Sequence, residues 1–169
     1  MPQPPIDELL ELILRSFIGQ ECWGVVAGAG AGSIFQLSLG AKSLRPESCR
    51  NPHLALDVQL YQPSHNIFYW AAWELYQDGV LVCDSDSDNA NDGPMVRGLQ
   101  RLIGEKITRF DASKKWHEPT VHWSGGYRLD GFCNAQDIYQ SVDSTNYSLT
   151  SPVGSISCDG DHSLSDHAP

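Results

Sequence analysis

Residues 66–76, NIFYWAAWELY, constrain the fold more than any other stretch of the chain. Ile67, Tyr69, Ala71, Trp73 and Leu75 occupy alternate positions, so an extended backbone lines them along one face. A face that large and apolar has to be covered by a second layer. Phe68 and Trp70 sit on the opposite face, which predicts burial on both sides where the strand begins. Trp70 and Trp73 are accordingly read as core. Gln77-Asp78-Gly79 then predicts a tight turn onto the strand VLVC, residues 80–83.

The segments around this strand change period repeatedly. Ile6, Leu9, Leu10, Ile13, Leu14 and Phe17 recur at helical spacing, with Asp7 and Glu8 in the first turn and Gly19 as a left-handed stop. ECWGVVA and SIFQLSLG, on either side of the glycines at 28, 30 and 32, read as short strands. Residues 40–56 read as a loop and DVQLY, residues 57–61, as a strand. Pro94 opens a second helix, with Met95, Leu99, Leu102 and Ile103 on one face and Gly104 after it. KITRFDA, TVHW, GYRLDGFC and NYSL supply further strands, Ser124-Gly125-Gly126 joining two of them. The order is not the βαβα alternation of a parallel sheet. It predicts an α+β fold: a curved, largely antiparallel sheet of about seven to nine short strands, an N-terminal helix and one inserted helix. Residues 1–149 are expected to form a single domain. Residues 150–169, rich in Ser, Asp, Gly and Pro, are expected to be a polar, flexible tail.

The glycine-rich stretch admits three chemistries. A phosphate cradle needs a helix after the glycines, and SIFQLSL has the period of a strand. A cysteine nucleophile is the second. GQECW resembles the GQCW stretch of transglutaminase-like enzymes, with Cys22 as thiol, His122 as base and Asp130 or Asp137 as orienter. The match carries an extra residue, Glu21, and lacks the helix N-terminus that lowers a thiol pKa. The third, a glycine-rich hairpin, needs only positive φ and close backbone approach, and it is the reading adopted.

DSDSDNANDG, residues 84–93, resembles the start of a calcium loop, but Asn89 stands where the loop needs Gly and Met95 where it needs Glu. Asp84, Asp86, Asp88 and Asp92 remain as a weaker calcium set or as a solvated recognition loop. His117 and His122 bracket Pro119 and cannot form an i, i+4 helical pair. Cys158, Asp159, Asp161, His162, Asp166 and His167 offer metal ligands without an evident rigid frame. Trp116 and Trp123 lie in polar surroundings and are expected at the surface, where aromatic residues mark interaction sites, a carbohydrate face among them. Arg97, Arg101, Lys106, Arg109, Lys114, Lys115 and Arg128 read mainly as solvated surface.

The net charge of −10 disfavours nucleic acid as a partner. No apolar run approaches the ~20 residues of a membrane helix. The first helix, broken by Asp7, Glu8, Glu11 and Arg15, reads as soluble rather than as a leader. Five cysteines, none at C-x-x-C spacing, are expected to be reduced, which places the protein in the cytoplasm. No cofactor motif is present. WGVVAGAGAGSIFQLSLG, AAWEL, DGPMVRGLQRLIG, GYRL and NYSL together are similar to small bacterial α+β domains, some associated with polymorphic-toxin immunity proteins. The resemblance covers about residues 20–150. It implies an intracellular binding or inhibitor protein acting on a basic protein partner and carries over no functional residue; it is the charge of the loop itself that makes Asp84, Asp86, Asp88 and Asp92 the expected partner-binding residues. The alternative is a small hydrolase or transferase using Cys22 and His122.

Overall fold

The structure is a computed structural model, and it describes residues 4–112, 117–133, 145–159 and 163–167. It is α+β. Helix α1 (Ile6–Phe17) leads into the hairpin β1 (Cys22–Val26) and β2 (Phe35–Leu44). A short helix α2 (Leu56–Leu60) runs directly into β3 (Tyr61–Tyr69). Then come β4 (Ala72–Gln77), β5 (Val80–Asp84), α3 (Pro94–Gln100), β6 (Ile107–Asp111), β7 (Thr120–Trp123) and β8 (Tyr127–Phe132). β9 (Thr145–Ser151), β10 (Gly154–Asp159) and β11 (Leu164–His167) complete the described elements.

The expected single curved sheet is instead two antiparallel sheets. One has the order β1-β2-β3-β9-β10-β11 and the other β5-β4-β8-β7-β6. The division falls inside NIFYWAAWELY. Trp70 N–H and Ala71 N–H both donate to the Asn146 carbonyl, at 2.8 and 3.2 Å, so the chain leaves one ladder there and enters the other at Ala72. The alternation survives the corner: Ile67, Tyr69, Ala71, Trp73 and Leu75 are all buried. The other face is not covered as expected. Trp70 is 37% exposed and stacks on Phe68 with ring centroids 4.0 Å apart. Short backbone bonds tie the sheets at a second corner, where Cys22 N–H reaches the Glu105 carbonyl and Ile107 N–H the Gln20 carbonyl.

One apolar core lies between the inner faces of the sheets. Phe35 of β2 meets Trp73 of β4 edge to face at 5.1 Å, and Tyr69 stacks on Tyr147 at 5.9 Å. α1 buries Leu9, Leu10, Ile13, Leu14 and Phe17, with Phe17 edge-on to Phe110 at 5.4 Å. α3 packs against β5, where a Cβ on Gly98 would stand 2.3 Å from Cys83 Sγ. Ile103, expected on the buried face, lies beyond the helix end and is exposed.

Four further expectations need correcting. DVQLY is largely helix rather than strand: residues 57–60 belong to α2, whose Val58 packs over Gly24 and Ser38. A stretch this short carries too few residues for either period to declare itself. β2 runs on to Leu44, pairing with Tyr61 across what was read as loop. The tail carries β10 and β11, with Ile156 and Cys158 fully buried. Only these two side chains in β10 are apolar, so composition hides the alternation. Trp123, expected at the surface, is buried on the inner face of β7. Trp116, Lys114, Lys115, Asp137, Asp161 and His162 lie outside the described residues.

Candidate partner-binding surface

The acidic loop between β5 and α3 is held by its own polar groups. Asp84 Oδ1 accepts from the Asp86 amide at 3.1 Å and from Ser87 Oγ at 2.7 Å. Asp88 Oδ1 accepts from the Ala90 amide at 3.0 Å, and the Asp88 carbonyl accepts from Met95 N–H at 3.2 Å. These are local Asx-type closures, the reason Asp and Ser concentrate in turns. Gly93 precedes Pro94 because nothing larger fits: a Cβ there would lie 2.4 Å from the Asp88 carbonyl. The loop is also pinned to the glycine-rich turn, through Asn89 Nδ2 donating to the Gly32 carbonyl at 3.0 Å.

That turn is the hairpin connection expected from the sequence. Gly28, Gly30 and Gly32 all have positive φ, at 132°, 93° and 64°, and β1 pairs antiparallel with β2 on either side. The two features singled out in the sequence therefore meet at one end of the molecule. A depression of about 540 Å³ lies against the turn, lined by Gly28, Gly30, Asn51 and His53 and, from the acidic loop, Asn91. Of the four sequence-predicted aspartates, Asp86, Asp88 and Asp92 present exposed carboxylates, whereas Asp84 is half-buried and organises the loop. Among the described residues no three His, Cys, Asp or Glu side chains converge as a metal site.

Asp84 also continues a row the sequence reading missed. Strand register aligns Asp84, Glu74, Asp130, Thr120 and Asp111 across the outer face of the five-stranded sheet. Beside it run Tyr76, Arg128, His122 and Arg109. The two rows brace each other. Arg128 Nε meets Asp130 Oδ2 at 2.9 Å, and its guanidinium lies 4.7 Å over the Tyr76 ring. Arg109 Nη2 meets Asp111 Oδ2 at 3.3 Å, and Tyr76 donates to Glu74 Oε2 at 2.5 Å. That bond, more than the neighbouring charge, raises the Tyr76 hydroxyl pKa. The available signal was the repeated Arg-x-Asp at 109–111 and 128–130, two strands whose outward positions carry the same pair.

The structure does not bring Cys22 and His122 together. Cys22 is fully buried in the core, and burial is the main cause pushing its thiol up to about 12. His122 lines the outer-face depression with Arg109, Asp111, Thr120, Arg128 and Asp130. His117 sits before β7, its carbonyl accepting from Tyr147 OH at 2.8 Å. Arg97, Arg101 and Lys106 are exposed, as solvated surface residues are. No helix among the described residues is long and apolar enough to cross a membrane. No protein-family model, curated protein or solved structure matches the chain.

Proposed function

We propose that the protein is a cytoplasmic, non-enzymatic binding protein that engages a basic protein surface through the acidic loop between β5 and α3. An inhibitor of immunity type is the sharpest form of this reading, and the resemblance described above favours it. The observation that carries it is the pre-organisation of the loop. Asp86, Asp88 and Asp92 are exposed on a connection closed by internal hydrogen bonds and anchored to the glycine turn. A rigid loop on a rigid scaffold loses little conformational entropy on docking. Asp84 and Glu74 continue the acidic edge onto the sheet, where Asp130 and Asp111 are already paired with Arg128 and Arg109.

The test is comparative capture from native cell extract with wild type and the D86N/D88N/D92N variant. Of the three, Asp88 closes a turn through Oδ1, and an asparagine amide keeps an oxygen there, so the loop geometry survives while three charges go. The reading expects a basic protein retained by wild type and lost from the variant. Equal retention by both would move the interface away from this loop.

A further inference from the structure

Cys133 and Cys158 share the core where the two sheets come together, although the sequence offers no spacing that would pair them. Cys158 lies on the inner face of β10, opposite Tyr147 in β9. Tyr147 stacks on Tyr69, and the Tyr69 hydroxyl donates to the Phe132 carbonyl at 3.4 Å. Phe132 ends β8, and Cys133 follows it with its amide donating to Glu118 Oε1 at 3.3 Å. The tyrosine pair thus brings the end of one sheet onto the centre of the other. The two residues belong to the same buried core, each thiol is the leading influence on the other's ionisation, and both are free. Cys158 has no exposed surface, whereas Cys133 is 8% exposed.

We infer that Cys133 and Cys158 are a thiol-oxidation site, forming an inter-sheet disulfide when the protein meets a small-molecule disulfide such as oxidised glutathione. Cys133, the more accessible of the two, attacks one sulfur of glutathione disulfide as its thiolate, and one glutathione thiolate leaves. Cys158, as thiolate, then attacks the Cys133 sulfur of that mixed disulfide and expels the second glutathione. The protein loses two protons and two electrons, and one glutathione disulfide becomes two thiols. In the reduced protein the Cys133 thiol favours thiolate at Cys158. Once Cys133 is in the mixed disulfide that donor is gone, and the Asn146 and Tyr147 side chains are the hydrogen bonds that still favour the Cys158 thiolate for the resolving step. Contact with Cys158, burial and the Glu118 carboxylate all raise the Cys133 thiol pKa, so the first step is slow. The bond joins β8 to β10, closing a loop in the unfolded chain that the reduced protein leaves open.

The experiment uses the full chain, incubated over a range of glutathione redox ratios, alkylated, and read by intact mass and by disulfide mapping after proteolysis. The inference expects loss of two hydrogens, a peptide pair linked between Cys133 and Cys158, and a Tm higher by roughly 5–10 °C that falls back with dithiothreitol. C133S and C158S each abolish the linkage, and C49S leaves it unchanged. Mapping on wild type keeps the test decisive if a serine variant folds poorly. A stable glutathione adduct without the linkage, a linkage to Cys22, Cys49 or Cys83, or full retention of five free thiols under oxidising ratios would each overturn it.

Discussion

Cys22 and His65 are both sealed inside the molecule, and burial moves their ionisation in opposite directions. Removing the Cys22 thiol from water disfavours its thiolate and pushes it up to about 12, a backbone hydrogen bond at Gly24 offsetting little of this. At neutral pH it is protonated and inaccessible. Iodoacetamide should therefore modify half-buried Cys49 in the folded protein and reach Cys22 only after denaturation. Peptide mapping reads this directly, and modification of Cys22 in the native state would return it to consideration as a nucleophile. His65 is 5% exposed, edge-on to Phe17 at 5.0 Å and 2.9 Å from Ser64 Oγ. Burial lowers its pKa below 6.5, with the Ser16 carbonyl acting weakly the other way. The unfolded chain therefore takes the proton first as pH falls. Stability contributed by neutral His65 is complete above about pH 6.5 and is lost below it, down to the folded pKa. Thermal melts from pH 7.5 to 5 should show Tm declining below 6.5, with H65Q flattening the decline. An unchanged slope in the variant would assign the acid sensitivity elsewhere.

The strand β10 adds Ile156 and Cys158 to the core under the six-stranded sheet. Ile156 is fully buried and stands opposite Leu149, so I156A should cost about 2–5 kcal/mol, measured by urea unfolding. A loss below about 0.5 kcal/mol would mean that β10 does not complete the core. Much of the fold was legible where side chains are large and strictly periodic. α1, the 66–76 face, the Asp78-Gly79 turn with φ of 50° and 82°, and the Pro94 helix start all follow from local rules. The rest was not, for physical reasons. Ser155 and Ser157 alternate with Ile156 and Cys158, and small polar residues cannot distinguish an outward strand face from a loop. The sheet corner at Trp70–Ala71 leaves the alternation intact and so leaves no mark on the sequence. Asp84, Asp86, Asp88 and Asp92 were visible as a loop. That Asp84 serves the loop's closure, while the other three face outward, depends on hydrogen bonds that only the folded chain reveals. The outer-face rows of the five-stranded sheet depend on register, which a single strand does not encode.

Across the whole molecule, charge is distributed unevenly. The arginines of the five-stranded sheet are engaged by aspartates on their own strands, Arg109 with Asp111 and Arg128 with Asp130. The carboxylates of Asp86, Asp88 and Asp92 project into solvent beside the glycine turn, on a chain of net charge −10. Exposed charge of this kind acts chiefly on the rate of encounter, less on the lifetime of the complex. Stopped-flow association of wild type and D86N/D88N/D92N with the captured basic protein, across a salt series, tests this most directly. Association about tenfold slower for the variant at low salt is expected, a gap that closes as ionic strength screens the field. Association rates indifferent to both the substitutions and the salt would contradict it.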